Sequence, residues 1–458
     1  MNAIIFIAIA GIASMFAGVF EWRKLILPLN ILTCVAAVLI ITLGLNGDYT
    51  QYLNGMLLFD KISITFSVVM IVLTALVFVI SHYYYREQVD HLSDIYALML
   101  FSLAGAIIMV SFNNLVMLFL GIEILSIPLY ILAASNRKNL LSNEAGLKYF
   151  IIGAFASSFL LLGITLIYGT TGTFSVDGIA AFIKHGDTSN PLFIIGGLLI
   201  LSALLFKVSA APFHSWAPDV YQGSPTVITS FMATVVKTAA FGAFVKFISL
   251  FMQSNVELWQ NILSVVAILT MIVGNVVALY QTNLKRLLAY SGIANAGYVM
   301  IAIATLNPES YKYILFYMAG YGVATILAFA IYFIVKEHKK DDRIEGLKGL
   351  SSQNKLLTVS LCAAMISLAS IPPMTGFFGK YAIFINAIED GKIWLVIIAV
   401  LNSATGVYYY FRVMSTCFQK SETDIKIITP ATYNIVLIAG VIVLLILGVY
   451  PTLLLQYL

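Results

Sequence analysis

The amino-acid sequence predicts an all-α integral membrane protein with about fourteen transmembrane helices. Hydrophobic residues make up 61% of its 458 residues and charged residues only 10%, whereas a soluble domain carries about 25% charged residues. The mean hydropathy is +0.97. Fourteen windows are apolar over the roughly 20 residues that a membrane-spanning helix needs. This composition excludes a soluble enzyme, a nucleic-acid-binding protein and a disordered scaffold.

The predicted spans follow one another closely, so we expect short connections and no extramembrane domain. The first window is interpreted as a spanning helix, since it lacks the basic segment that opens a cleaved signal peptide. The charged stretch at 336–355 is interpreted as a solvated connecting loop, and no β-strand is expected. The windows lie near residues 2–20, 25–45, 60–82, 93–111, 114–134, 143–169, 191–211, 225–251, 258–280, 286–305, 311–336, 356–378, 392–418 and 432–455.

The basic residues of the connections predict how the chain is oriented. Sixteen Lys and Arg residues lie in connections after odd-numbered spans, and four lie in connections after even-numbered spans. Basic residues concentrate in cytoplasmic loops of membrane proteins. We therefore expect the odd-numbered connections in the cytoplasm and both chain termini on the outer side of the membrane.

Five further lysines lie inside predicted spans, where an ionisable group costs about 2.5–3.5 kcal/mol on insertion scales. Lys207 follows a long run of apolar or small residues, and a functional role is favoured over a side chain that extends from a helix end to the interface. Lys237 lies too deep in its span to reach either interface easily, which also favours a functional role. Lys246 lies near the outer end of its span, so we expect its side chain to extend to the interface. Lys148 lies close to the start of its span, so it could be either a functional residue or a lysine that extends to the interface. The fifth is Lys380.

Two segments rich in proline predict interrupted helices close to lysines. One follows Lys207 in KVSAAPFHSWAPDV, and the other precedes Lys380 in IPPMTGFFGKYAIF. Irregular backbone at membrane depth is tolerated only beside protein or a water-filled cavity. Paired broken helices hold ion sites near the midplane of transporters, so the pattern also suggests an internal duplication. The prolines that mark these breaks are Pro212, Pro218, Pro372 and Pro373.

Three other ionisable residues are candidates for proton transfer. Glu123 is the one carboxylate in the middle of a predicted span, so it must be protonated or paired with a cation. Glu144 lies at the start of the next span, where it could be either an entrance group for protons or an ordinary surface residue. His214 lies within the first break and could either relay protons or cap free carbonyls.

Four motifs together carry a family resemblance. KVSAAPFHSWAPDVYQGSPT, followed by MATVVKTAAFGAF, resembles the signature of the antiporter-like membrane subunits of respiratory complex I. NLVMLFLGIEILSIPLYIL and KRLLAYSGIANAGYVMIA are similar to further landmarks of this family, and the resemblance covers nearly the whole chain. The YQGSPT variant and the lysine of IPPMTGFFGKYAIF resemble one of its three large subunits more than the other two.

The resemblance implies a domain organisation and a proton path. It implies N-terminal helices at 1–92, a first five-helix repeat at 93–251, an inverted second repeat at 252–420 and a C-terminal helix at 421–458, with one discontinuous helix in each repeat. It assigns a buried pair to Glu123 and Lys207, a central position to Lys237, an outer position to Lys380 and a position near the pair to Lys148.

The resemblance also implies the reaction and the partners. It implies a proton-translocating subunit of an NADH–quinone oxidoreductase, multi-pass in a bacterial inner membrane, with both termini periplasmic. Its partners would be other membrane subunits, including paralogous antiporter-like ones, together with lipid and protons but no nucleic acid. No cofactor is expected in this chain: flavin, iron–sulfur clusters and NADH would be bound by partner subunits, and quinone at a partner site.

The residues themselves offer no redox or metal chemistry. No GxGxxG motif follows a strand, and the three distant cysteines form no metal-ligand set. Two alternatives remain open at this point. One is a subunit of a multi-subunit cation/proton antiporter, and the other is a passive membrane scaffold, which would not need the insertion cost of buried lysines. The cysteines are Cys34, Cys362 and Cys417.

Overall fold

The structure is a computed structural model that describes residues 1–43, 50–86, 91–251, 254–305, 307, 309–421 and 426–456. Within these ranges, thirteen helical segments are long and apolar enough to cross a membrane. A fourteenth predicted span, 356–378, corresponds to two shorter helices separated by a break. The predicted class of an all-α membrane protein is confirmed.

The helices are numbered in chain order. A π-helical turn, Met232–Val236, joins α10 to α11, so that these three elements form one span. The α-helices are α1 (Asn2–Val19), α2 (Arg23–Leu43), α3 (Lys61–Tyr84), α4 (Leu92–Val110), α5 (Leu115–Ala133), α6 (Leu140–Thr171), α7 (Val176–His185), α8 (Pro191–Val208), α9 (Trp216–Gly223), α10 (Thr226–Phe231), α11 (Lys237–Phe251), α12 (Val256–Leu279), α13 (Leu284–Ala304), α14 (Ser310–Lys339), α15 (Leu350–Gln353), α16 (Lys355–Leu368), α17 (Thr375–Glu389), α18 (Ile393–Phe418), α19 (Ala431–Val449) and α20 (Thr452–Leu455).

The expectation that the chain has no strands is wrong. Strands β1 (Thr50–Tyr52) and β2 (Leu57–Phe59) form a short antiparallel hairpin between α2 and α3. Each strand has only three residues, which is too short for an alternating pattern to show in the sequence. The turn between them contains Gly55 at φ +82°, a conformation that glycine adopts at little cost.

The stretch at 336–355 is more ordered than the predicted loop. Helix α14 continues to Lys339, and a 3₁₀-helix (Ile344–Leu347) and α15 follow it. Leu347 is buried and anchors this segment against the helices. On its surface, the Arg343 guanidinium donates a hydrogen bond to Asp341 at 3.0 Å. This bond holds the pKa of the Asp341 carboxyl below its ordinary value.

The helices differ in how much of their surface the protein itself covers. In α13, 94% of the spanning window is buried, and in α14 and the α10–α11 span 89% is buried, whereas α1, α2, α6, α18 and α19 bury only 33%. A helix that is apolar all round and buried belongs to the core of a large bundle. The central helices α11, α13 and α14 therefore form the core, and the peripheral helices present apolar faces to lipid or to neighbouring subunits.

Two helices are interrupted where proline predicts a break. Helix α8 ends at Val208 and α9 begins at Trp216, so that Pro212 lies in the gap. Helix α16 ends at Leu368 and α17 begins at Thr375, and this second gap contains Pro372 and Pro373. Pro218, in contrast, lies in the first turn of α9 and not in a break. Proline is tolerated there because the first turn needs no N–H donor.

The helices before both gaps end in the same way. Ser209 has φ 61° and Ser370 has φ 58°, which places both in the left-handed region. The N–H after each serine bonds the carbonyl five residues earlier, at 2.9 Å in the first case and 3.1 Å in the second. This is the Schellman arrangement, which satisfies carbonyls that the broken helix would otherwise leave free.

Candidate functional site

Three lysines are buried in the interior of the bundle without an ionic partner. Lys207 is 5% exposed, Lys237 is 2% exposed and Lys380 is 5% exposed. Each ammonium nitrogen donates a hydrogen bond to a neutral oxygen. In the part of the chain that the structure describes, no carboxylate lies within 4.0 Å of any of these nitrogens. Each lysine is thus held by neutral groups where a permanent charge is costly.

Lys207 on α8 and Glu123 on α5 do not form an ion pair. The Lys207 Nζ atom donates to Ser126 Oγ at 2.6 Å. Ser126 lies three residues after Glu123 on α5, so the two side chains share one side of that helix. Glu123 is half-buried and accepts a hydrogen bond from Ser157 Oγ on α6. Ser126 therefore connects the turn of α5 that carries Glu123 to the Lys207 ammonium.

Aromatic side chains cover this region. Trp216, at the start of α9, donates from Nε1 to the Phe206 carbonyl at 3.1 Å. Its ring stacks on Tyr149 with centroids 4.8 Å apart, and Tyr149 meets Tyr130 edge-on at 4.9 Å. The Trp216 hydrogen bond joins the two sides of the first break. The Phe206 ring, which lies 5.6 Å from the Lys207 Nζ atom, connects this aromatic group to the lysine.

Lys237 is positioned by the π-helical turn before it. It is the first residue of α11, and π-helical turns occur frequently at functional sites. Its Nζ atom donates to the Gly292 carbonyl on α13 at 2.8 Å. The same atom lies 6.0 Å from the centre of the Tyr321 ring. The central lysine thus contacts the helix that the protein buries most completely.

Lys380 lies inside α17, five residues after that helix begins. Its Nζ atom donates to Ser403 Oγ at 3.0 Å and lies 3.9 Å above the centre of the Tyr298 ring. An ammonium in this position is attracted by the ring face. Lys237 and Lys380 both contact α13, at residues 292 and 298. These positions are about 9 Å apart along the helix axis at 1.5 Å per residue.

Lys148 and Glu144 lie in a separate cluster nearer the surface. The Lys148 side chain is 39% exposed and its Nζ atom lies 2.7 Å from Glu144 and 2.8 Å from Asp219. Arg286 on α13 also pairs with Asp219, at 2.7 Å. The structure therefore joins Lys148 to an exposed network and not to the buried lysines. Exposed pairs of this kind typically contribute little stability.

His214 lies in the first break and is half-buried. Its Nδ1 atom is buried and has no hydrogen-bond partner among the described residues. In the same part of the chain, no group of three or more His, Cys, Asp or Glu side chains could hold a metal ion.

Two lysines have surroundings that the sequence does not predict. Lys246 does not extend freely to the interface but lies 3.0 Å from Asp60 and 2.9 Å from Ser63 Oγ. Lys285, one of the sixteen basic residues that the sequence places in connections after odd-numbered spans, is only 3% exposed. It donates to the carbonyls of Ser224 and Gln222 at 2.5 and 3.3 Å. The leucines that flank Lys285 in NLKRLL hint at its burial, but nothing near Lys246 in sequence points to its partners.

Comparison with known proteins identifies the family of this chain. The family model described as NADH:quinone oxidoreductase/Mrp antiporter, TM, matches residues 112–406. The chain belongs to this family. NADH-quinone oxidoreductase subunit N of Cytophaga hutchinsonii is 43% identical over 465 residues, which cover 100% of this chain and 99% of that protein. Subunit N of Nitrosomonas europaea is 35% identical, covering 98% of this chain and 94% of that protein.

Two solved structures share the whole fold. One chain of respiratory complex I from Thermus thermophilus has a TM-score of 0.82 at 31% identity, covering 99% of this chain and 98% of that chain. One chain of the Mrp complex from Dietzia sp. has a TM-score of 0.83 at 20% identity, which shows the fold alone. The resemblance to antiporter-like subunits of complex I is therefore confirmed. Subunit N, whose name these full-length relatives carry, is also the subunit that YQGSPT indicates.

Proposed function

We propose that this chain is a proton-translocating membrane subunit of a bacterial NADH–quinone oxidoreductase, and that protons cross it by way of Lys207, Lys237 and Lys380. The burial of these three lysines among neutral partners carries the proposal. A lysine that served only the fold would need a carboxylate, an interface or the free carbonyls of a helix end to offset its insertion cost. A lysine that binds and releases a proton needs the poorly solvated surroundings that these three have.

The first step involves Glu123, Ser126 and Lys207. Electron transfer and quinone reduction occur in partner subunits and alter the charge near Glu123. Because Ser126 links the Glu123 turn of α5 to the Lys207 ammonium, a change at Glu123 alters how firmly Lys207 holds its proton. The hydrogen bond between Glu123 and Ser157 gives this carboxylate a second, neutral partner when its interaction with Lys207 weakens.

The later steps follow α13. Lys237, whose Nζ atom is held by the Gly292 carbonyl, takes up the proton. Lys380, whose Nζ atom lies above the Tyr298 ring, then releases it towards the outer side. Lys148 and Glu144 belong to the entrance of this path, where their exposed network with Asp219 borders α9. His214 lies in the break between Lys207 and that entrance and is a further relay candidate.

The proposal also states where the redox groups lie and how the chain is oriented in the membrane. Flavin, iron–sulfur clusters and the NADH site belong to partner subunits, and the quinone site lies at a partner. The bias of basic residues supports an inner-membrane topology with both termini periplasmic. A single cysteine introduced at position 340 should then react with an impermeant thiol reagent only from the cytoplasmic side, and one introduced at position 187 only from the periplasmic side.

We propose that residues 93–251 and 252–420 are two inverted repeats, although residue 252 itself lies outside the described residues. Matching local structures support this. Asn114 precedes the second helix of one segment and Asn283 the second helix of the other, and each caps that helix with its side chain. Each also forms an isolated antiparallel bridge, with Ser175 and Arg343 respectively. The serine-capped breaks at Ser209 and Ser370 form a further matching pair.

Substitution of the central lysine tests the proposed path. In the purified complex reconstituted into vesicles, Lys237→Met leaves an unbranched side chain that is one heavy atom shorter and cannot hold a proton. We expect fewer protons moved per NADH oxidised, with the complex still assembled. Lys184→Met is the matched control, because Lys184 is exposed on α7. Normal pumping in an assembled Lys237→Met complex would contradict the proposal.

The main alternative is an ion-exchanging antiporter without a redox partner. Its support is the shared fold of the Mrp complex, at 20% identity. The relatives named subunit N are more similar, at 43% and 35% identity over nearly the whole chain. Sodium-dependent proton exchange by the chain without a redox assembly would favour the antiporter, and co-purification with flavin-containing subunits would exclude it.

A further inference from the structure

A shielded ion pair lies beyond Lys237, at the end of the span that the proposed topology places on the outer side of the membrane. The Lys246 Nζ atom lies 3.0 Å from Asp60 Oδ2, and the two side chains are only 11% and 16% exposed. The same nitrogen donates a hydrogen bond to Ser63 Oγ at 2.9 Å. Taking two charges out of water often costs more than their attraction returns, so stability alone does not explain this pair.

The pair joins α11 to the beginning of α3 and to the end of α4. Asp60 is the N-cap residue of α3, and its Oδ1 atom accepts a hydrogen bond from the Ser63 N–H at 2.7 Å. The Ser63 hydroxyl lies 3.0 Å from the carbonyl of Val110, the last residue of α4. The Phe112 ring, whose centre lies 5.9 Å from the Lys246 Nζ atom, borders the pair. Lys246, Asp60 and Ser63 therefore form a polar layer that connects three helices.

Backbone hydrogen bonds fix the connection between α4 and α5, which carries Phe112. On one side, the Leu58 N–H of β2 donates to the Ser111 carbonyl at 2.8 Å. On the other side, the Val176 N–H of α7 donates to the Asn113 carbonyl at 3.0 Å. The end of the bundle that holds the ion pair is therefore tied together by the β1–β2 hairpin, this connection and α7.

An apolar layer separates the ion pair from Lys237. The two lysines on α11 are nine residues apart in the sequence, which is about 13.5 Å along the helix axis. Residues 239–245 between them read AAFGAFV, and residues 239–244 are buried. The hydroxyl of Thr238 donates to the Thr234 carbonyl at 2.8 Å, which lies on the side away from the ion pair. Residues 239–245 of α11 therefore offer a proton no polar side chain.

The apolar layer is closely packed against α3 and α4. A Cβ atom at Gly242 would come within 2.8 Å of both the Phe66 ring and Val110 Cγ1, and both of these residues are fully buried. Apolar constrictions resist wetting, and a fixed positive charge beside a pore raises an electrostatic barrier to protons. The apolar layer and the charge of Lys246 are therefore two barriers to protons in succession.

We propose that the polar layer and the apolar layer together form an outer seal on the first half of the chain. The seal prevents a proton on Lys237 from leaving directly to the outer side, and it prevents outer protons from returning to Lys237. This inference rests on the proposed function, which makes Lys237 a proton carrier and places this end of α11 on the outer side. With the seal closed, the proton on Lys237 can leave outward only by way of Lys380.

Removal of the negative charge tests the outer seal. Asp60→Asn keeps a favourable N-cap side chain for α3 but no longer holds the Lys246 ammonium. In vesicles that contain the reconstituted complex and no NADH, we expect an imposed pH gradient to decay several-fold faster than with the unaltered complex. Glu309→Gln is the matched control, because it removes the acidic member of an exposed ion pair with Lys312. Its decay rate should equal that of the unaltered complex.

A second substitution shows whether the leak uses the lysine path. When Lys237→Met is added to Asp60→Asn, the decay should return to the rate of Lys237→Met alone, because protons that pass the seal no longer find a carrier. A fast decay that persists in this double variant would show a general loosening of the helices and would overturn the seal. A merely structural ion pair would lower the thermal midpoint of Asp60→Asn and leave the decay slow, which would also overturn it.

The outcomes separate this inference from the proposed function. If Lys237→Met alone lowers the number of protons moved per NADH oxidised and Asp60→Asn keeps the gradient, only the seal fails. If Lys237→Met alone pumps normally, the lysine path fails and the seal fails with it. Should Asp60→Asn not assemble, Lys246→Met decides, because it removes the positive charge of the same pair. A slow decay in an assembled Lys246→Met complex would overturn the seal.

Discussion

At the level of single residues, cations in this chain are held by oxygen atoms of neighbouring helices. Lys285 shows this outside the proposed proton path. Its ammonium binds the carbonyls of Gln222 and Ser224, at the end of α9. The last carbonyls of a helix lack partners within it, and a cation there is favourable. Lys285 on α13 therefore fixes α9, the segment that follows the break after Lys207.

Loss of this cap should destabilise the protein. Lys285→Met removes a buried charged donor, and a hydrogen bond to a charged group contributes about 1.5–3 kcal/mol. We expect a lower midpoint of thermal unfolding in detergent. Lys184→Met, which changes an exposed lysine in the same way, should leave the midpoint within error. An unchanged midpoint in Lys285→Met would show that the carbonyls find other partners.

At the level of helices, close packing of α4 on α5 positions Glu123 and Ser126. Gly105 on α4 lies directly against the backbone of α5, so a side chain there would collide with the Leu125 nitrogen. Backbone atoms cannot move aside as a flexible side chain does. The two helices must therefore separate if residue 105 gains a Cβ atom.

A glycine-to-alanine comparison tests this packing. Gly105→Ala should destabilise the fold by roughly 1–3 kcal/mol, the usual cost of overpacking, and should weaken pumping by displacing Ser126. Gly169→Ala on α6 is the control, because no atom lies within 4 Å of its added Cβ and alanine is the better helix former. Equal thermal midpoints for the two variants would contradict the packing argument.

The sequence predicts the helices better than the site. Spans are predictable because the bilayer requires long apolar segments, and the breaks follow from the geometry of proline. The β1–β2 hairpin and α15 are too short to show a period. Lys207, Lys237 and Lys380 stand out as charges in apolar segments. Their partners do not stand out, because serine, glycine and tyrosine from distant helices are ordinary residues in any apolar sequence.

At the level of the whole molecule, α13 connects the two halves. It contacts Lys237 of the first half at Gly292 and Lys380 of the second half at Tyr298, and it carries Lys285 and Arg286, which hold α9. A change at Lys237 can therefore reach Lys380 through one helix. This arrangement predicts that the buried lysines act in series along a single path.

The most direct measurement is the number of protons moved per NADH oxidised by reconstituted complexes that carry Lys207→Met, Lys380→Met or both. Any contribution of other subunits is the same in all three. Because steps in series share one path, the account predicts that the double variant loses no more than either single variant. Losses that add in the double variant, or a normal ratio in assembled complexes of all three, would contradict it.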